Sequence, residues 1–160
     1  GMLRVLVCLL GLLWPAGDSR AEGGALVEPQ TGISGIYTAQ ARVSDHPHHV
    51  LMGHVIIVAR AGETVRALVI RQRRDGVHRL RYSAAWSGGA ELPWRRSYGQ
   101  RCTHGHCRDR PVGMIFLSRA RFARAVDHGL SARLTGPGGA VDIVAPAALF
   151  RAAAARSAAP

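Results

Sequence analysis

From residue 35 to residue 84, short runs of branched and apolar residues follow one another with only turn residues between them, which leaves no length there for crossover helices. Residues 35–43, 50–60, 64–73, 77–84, 112–117, 130–134 and 140–144 read as strands, the second containing Val50-Leu51-Met52-Gly53-His54-Val55-Ile56-Ile57-Val58. Ala61-Gly62-Glu63 turns the chain, and Asp75-Gly76 stands where a two-residue hairpin turn belongs. A further hairpin crosses Thr135-Gly136-Pro137-Gly138-Gly139. Consecutive hairpins imply a mainly β fold, an antiparallel sandwich or open barrel. Two short helices come late. Ser118 caps one, with Phe122, Ala123 and Val126 on its apolar stripe and Gly129 as its stop; Pro146 opens an alanine-rich one carrying Leu149 and Phe150.

Residues 1–21 have the order of a secretion signal. Arg4 gives a positive start, an apolar run follows, Trp14-Pro15 breaks it, and Ser19-Arg20-Ala21 offers a small-residue cleavage site. An apolar run of about a dozen residues is short of the ~20 that cross a bilayer, so no transmembrane span is expected. Gly1, ahead of Met2, reads as an added residue. Residues 22–32 read as a flexible arm, 33–156 as one β-rich domain, and 157–160 as a frayed tail. The expected location is the bacterial periplasm or the exterior.

An oxidising compartment decides how the cysteines are read. Beyond the leader only Cys102 and Cys107 remain, in Cys102-Thr103-His104-Gly105-His106-Cys107. Two thiols so close in a secreted chain are expected to form a disulfide. A metal site is the alternative, because His104 and His106 add two imidazoles suited to zinc or copper. Adjacent His106 and Cys107 point opposite ways on an extended chain, which weighs against it. A redox pair fits less well, since four residues rather than two separate the thiols. His46, His48 and His49 beside Asp45 form a second cluster, which could share a metal with His54 or with His104 and His106.

The charge is as informative as the pattern. The 160 residues carry 21 positive side chains against ten acidic ones, a formal +11, and every positive residue is arginine. Removing residues 1–21 takes away Arg4, Arg20 and Asp18 and leaves 19 arginines against nine acids, a formal +10. GC-rich codon usage explains the missing lysine without removing the charge. A surface of this sign favours anionic partners. The expected hairpin across Asp75-Gly76 pairs Arg73 with His78, Arg71 with Leu80 and Val69 with Tyr82, so Arg71, Arg73, Arg74, Arg79 and Arg81 make a basic ribbon that could contact anions. Secretion makes nucleic acid an unlikely partner. Lipopolysaccharide phosphates, anionic phospholipid, peptidoglycan carboxylates or an acidic protein face suit the same guanidinium groups.

Catalytic signatures are missing from the sequence. No serine sits in a Gly-x-Ser-x-Gly elbow, no glycine-rich loop precedes a helix, and carboxylates are sparse. The sequence therefore points to a non-enzymatic envelope binding or accessory protein with no cofactor. A zinc- or copper-binding protein is the alternative and a hydrolase a distant third.

The C-terminal half also resembles the invasion-associated locus B proteins, small secreted bacterial proteins. The resemblance rests on the order of Cys102 to Cys107, a strand-to-helix segment over 116–128, a glycine-started hairpin over 129–144 and a closing helix with Phe150 over 147–155. The early Trp and Cys associated with that family have no clear counterpart here. The resemblance implies a β-rich envelope protein with a structural disulfide and no catalytic residues.

Overall fold

The structure, a computed structural model, describes residues 23–47, 50–73, 81–96 and 109–158, with side chains of the last stretch from Val112 onward. Among the described residues, eleven strands and two helices follow in chain order: β1 (Gly23–Glu28), β2 (Ile33–Thr38), β3 (Ala41–Arg42), β4 (Leu51–Arg60), β5 (Glu63–Arg73), β6 (Ala84–Ser87), β7 (Ala90–Leu92), β8 (Trp94–Arg96), β9 (Asp109–Leu117), α1 (Arg119–His128), β10 (Leu130–Gly136), β11 (Gly139–Ala145) and α2 (Ala147–Ala158). The fold is mainly β, with two antiparallel sheets that do not close into a barrel and two helices near the C-terminus. The first sheet runs β1-β2-β4-β5-β9-β8, with β3 also paired to β4; the second runs β11-β10-β6-β7.

The core lies between the sheets, under the helices. Leu51, Val55, Leu68, Ile70 and Ile115 of the first sheet meet Ala85, Leu92, Leu134 and Ile143 of the second, with Phe122 and Phe150 from the helices. The opposite face of β4, β5 and β9 is buried too, at Ile56, Ala67, Val69 and Met114. Burial on both faces explains why β4 reads as an unbroken apolar run rather than an alternation.

Two buried hydroxyls complete β4. β2 and β3 pair with different parts of its one side, Ile56–Ala59 and Met52–Gly53. In the gap between them, Thr38 Oγ1 accepts from the Val55 N–H at 2.9 Å. At the start of the strand, Ser44 Oγ accepts from the Leu51 N–H at 2.8 Å. Each satisfies a buried backbone donor that has no strand beside it. The next peptide ties the two sheets together, since the Val144 N–H donates to the Val43 carbonyl at 2.8 Å.

Local chemistry sets the turns and caps. β4 and β5 meet at Arg60↔Glu63 through Ala61 and Gly62, both at positive φ, the geometry of a tight hairpin turn. Ser118 caps α1 by accepting from the Arg121 N–H, and Gly129 ends it at φ 74°. The buried stripe is Phe122 and Ala125, with Val126 packed beside them. Ala123, expected on that stripe, faces solvent because positions 122, 125 and 126 share a side of a 3.6-residue helix.

Two expectations are corrected. The expected flexible arm over 22–32 contains a paired strand, because Gly23–Glu28 is β1, in register with β2 from Gly23↔Thr38 to Glu28↔Ile33. Its Leu26 packs with Ile33 and Val58, while the ladder itself uses backbone groups that Gly23 and Gly24 supply as well as any residue. The ribbon pairing Val69 with Tyr82 does not form either. β5 lies between β4 and β9, with Val69 opposite His54 on one side and Met114 on the other, so neither edge is open to residues 81–84. That chain crosses to the second sheet, where Ala84 pairs with Thr135. Among the described residues no helix is long and apolar enough to cross a membrane.

Candidate functional site

The described flanks of the arginine-rich segments meet at one end of the first sheet. Leu51 starts β4 opposite Gln72, and Arg73 ends β5 opposite Asp109, the first residue of β9. The Arg73 N–H donates to the Val50 carbonyl at 2.9 Å and closes this end. β8 runs antiparallel to β9 and reaches Arg96 opposite Gly113, heading the same way. The connections over residues 43–50, 74–80 and 97–108 therefore all open here. Residues 71–81 and 95–110 hold ten of the 21 arginines and two of the ten acidic residues.

Strand parity sorts the expected anion-binding residues. Arg71 is 3% exposed, on the same face of β5 as Val69, and cannot serve an exposed ribbon. Its burial follows from the central place of β5, where both faces are covered; a guanidinium held there belongs to an internal polar arrangement. Gln72, on the other face, is equally buried. Arg73, one residue past them, is exposed, as is Arg81. Arg74 and Arg79 lie outside the described residues. Sequence reasoning missed Arg95 and Arg96, both exposed on the edge strand β8. The signal was the basic pair directly after Pro93-Trp94.

A bulge and a glycine position that edge. Between Ile70 and Arg71 the register slips, Ile70 facing Gly113 and Arg71 facing Pro111, so Val112 is an extra residue on β9. Pro111 has no N–H for a regular ladder, and the bulge turns Val112 into the same core as Ile70. Gly113 leaves room for the Trp94 ring: a Cβ there would lie 2.5 Å from both the Arg95 carbonyl oxygen and the indole. The Trp94 Nε1–H donates to the Tyr82 carbonyl at 3.3 Å, which fastens the Arg81 segment to β8. Gly113→Ala is expected to cost about 1–3 kcal/mol in urea unfolding, since the obstructing carbonyl belongs to the backbone. A loss below about 0.5 kcal/mol would show that β8 shifts freely.

An exposed ion pair lies on the second sheet. Arg133 grips Asp142 across β10 and β11 through two hydrogen bonds of 2.7 and 3.0 Å. The hydrogen bond from Arg133 holds the Asp142 carboxyl below its ordinary range, and both groups are exposed. The alternative metal ligands do not assemble among the described residues, where no three of His, Cys, Asp and Glu are grouped to hold an ion. His46 is exposed, and His54 is fully buried within β4. Cys102, Cys107, His48, His49, His104 and His106, like residues 1–21, lie outside the described residues.

Chemically, the exposed end presents planar guanidinium forks suited to phosphate and carboxylate oxygens. Comparison with protein-family models, curated proteins and solved structures gives no match for this chain.

Proposed function

We propose that this chain is a secreted, non-enzymatic envelope protein that binds an anionic envelope component, or an acidic protein partner, through the basic end of its first sheet. One observation carries the reading: β5 and β8 place exposed Arg73, Arg95 and Arg96 at the end where the arginine-rich connections open. The leader-like residues 1–21 and the resemblance to invasion-associated locus B proteins support the envelope location, and a Cys102–Cys107 disulfide belongs to the same reading.

The test is cosedimentation with vesicles of anionic or zwitterionic phospholipid, and with lipopolysaccharide. An arginine near an anionic surface contributes about 1 kcal/mol, so the combined Arg73→Ser, Arg95→Ser, Arg96→Ser variant is expected to bind about 100-fold more weakly. Arg133→Ser, already paired with Asp142, should change little. Equal binding by the triple variant would overturn the proposal, and no binding by the parent protein would overturn its envelope-component half.

The zinc or copper alternative has one observation in its favour. The connections carrying His46, His48 and His49 and carrying His104 and His106 open at the same end, from β4 and β9, which flank β5 and so stand about 10 Å apart. Stoichiometric metal in protein isolated without chelator, with alkylatable thiols, would favour that alternative.

A further inference from the structure

Among the described residues the two sheet paths end on four strands, β1, β8, β11 and β7, and three of these edges are guarded. β8 is three residues long and carries exposed Arg95 and Arg96. β7 is also three residues long, too short to template a partner. β11 carries Asp142 and is tied to the first sheet by the Val144 N–H on the Val43 carbonyl. β1 has a single charge, Glu28 at its last position, and none of the other devices. It is six residues long, has no positive side chain, no proline and no bulge, and among the described residues nothing pairs with its outer side. Val27 on it is 68% exposed, more than any other large apolar side chain described. Long, uncharged, apolar edges are those that recruit another strand.

Charge singles out the occupant. Each copy of this chain carries a formal +11, so copies repel wherever arginines meet. Residues 21–41, which include β1 and β2, are the longest stretch without an arginine and contain Glu22 and Glu28. β1 and β2 therefore bring no arginine of their own to a seam between two copies. An antiparallel pairing about a twofold axis also suits the sequence, because Glu28 of one copy then lies toward the glycine end of the other strand rather than against a second Glu28.

We propose that two copies of this chain associate through β1, the first sheet of one continuing antiparallel into the first sheet of the other. The contact is one strand wide, which places it among small, transient interfaces with a dissociation constant of about 10 μM. The dimer strengthens with salt, because screening weakens the repulsion between two basic bodies while backbone hydrogen bonds and Val27 contacts persist.

Sedimentation equilibrium on the chain as recovered from cells, from about 1 to about 100 μM, is the test, since that span brackets the expected constant. A concentration-dependent dimer is expected, with Val27→Arg weakening it at least about tenfold by setting two new charges in the seam. Val144→Arg, at a side chain 59% exposed on β11, should leave it unchanged. Both substituted side chains are exposed, so circular dichroism should show the parent fold. A monomer throughout the range overturns the proposal, as does a dimer indifferent to Val27→Arg. A dimer that weakens with salt overturns it as well, because attraction between β1 of one copy and the basic end of another would behave that way.

Discussion

Replacing Phe150 with alanine is expected to lower the unfolding free energy by about 3–5 kcal/mol, the range for deleting a fully buried aromatic ring. Phe150 has no exposure and belongs to the core between the sheets. It comes from α2, the last element of the chain, which packs on α1 and against β2 and β4. Its ring meets Phe122 of α1 edge-on, with centroids 5.9 Å apart and planes at 74°. Arg66 of β5 holds its guanidinium 5.9 Å from the Phe122 ring, so sheet and helices converge on one aromatic pair. A cycle of Phe122→Ala, Phe150→Ala and both together should show a coupling of about 0.5–1.5 kcal/mol for the ring pair beyond the area it buries. Urea titrations measure both quantities. A cost for Phe150→Ala below about 1 kcal/mol would mean that α2 is not closing the core.

How much of this was legible depended on whether a signal was local. β4, β5 and the β10–β11 hairpin were readable because branched residues cluster between turn residues, and α1 because Ser118 and Gly129 supply both caps. Phe150 was placed correctly in a closing helix for the same reason. The strands β6 to β8 were missed, being three or four residues each and too short to show a period. A turn signal did exist: Gly88 and Gly89 take φ of 58° and 79° and join Ser87 to Ala90 as a two-residue hairpin.

The error with most consequence for the site came from trusting the Asp75-Gly76 signal to choose a strand partner. A turn motif reports on the backbone over four residues, whereas the neighbours of β5 are chosen by the sheet as a whole. β9, some 40 positions along the chain, takes the place that residues 77–84 were expected to fill. This exchange buries Arg71, while Arg73 and Arg81 stay exposed and Arg95 and Arg96 join them. The net charge was legible from composition, but the placement of Arg73, Arg95 and Arg96 needed the register of the β5–β9 and β8–β9 ladders.

Alkaline conditions offer an unusually clean test of the packing behind that end. Burial pushes the Tyr82 phenol up to about 12 from an ordinary 10.0. Tyr82 is 4% exposed, and its carbonyl receives the Trp94 indole N–H. Below pH 10 both folded and unfolded chains keep the phenol protonated, and it adds no pH dependence. Between pH 10 and 12 the unfolded chain releases the proton while the folded chain retains it, so stability falls as pH rises, by about 1.4 kcal/mol per unit and about 2.7 kcal/mol across the window. In most proteins lysines titrate over the same range and blur such a slope; this chain has none, and arginine stays charged throughout. Tyr82→Phe should therefore unfold like the parent protein at neutral pH and lose the Tyr82 part of the alkaline decline. The difference between the two stability curves should open at pH 10 and widen toward pH 12. Parallel curves would mean that the phenol reaches water in the native state, and with it that Tyr82 does not seal the core behind Trp94 and the arginines of β8.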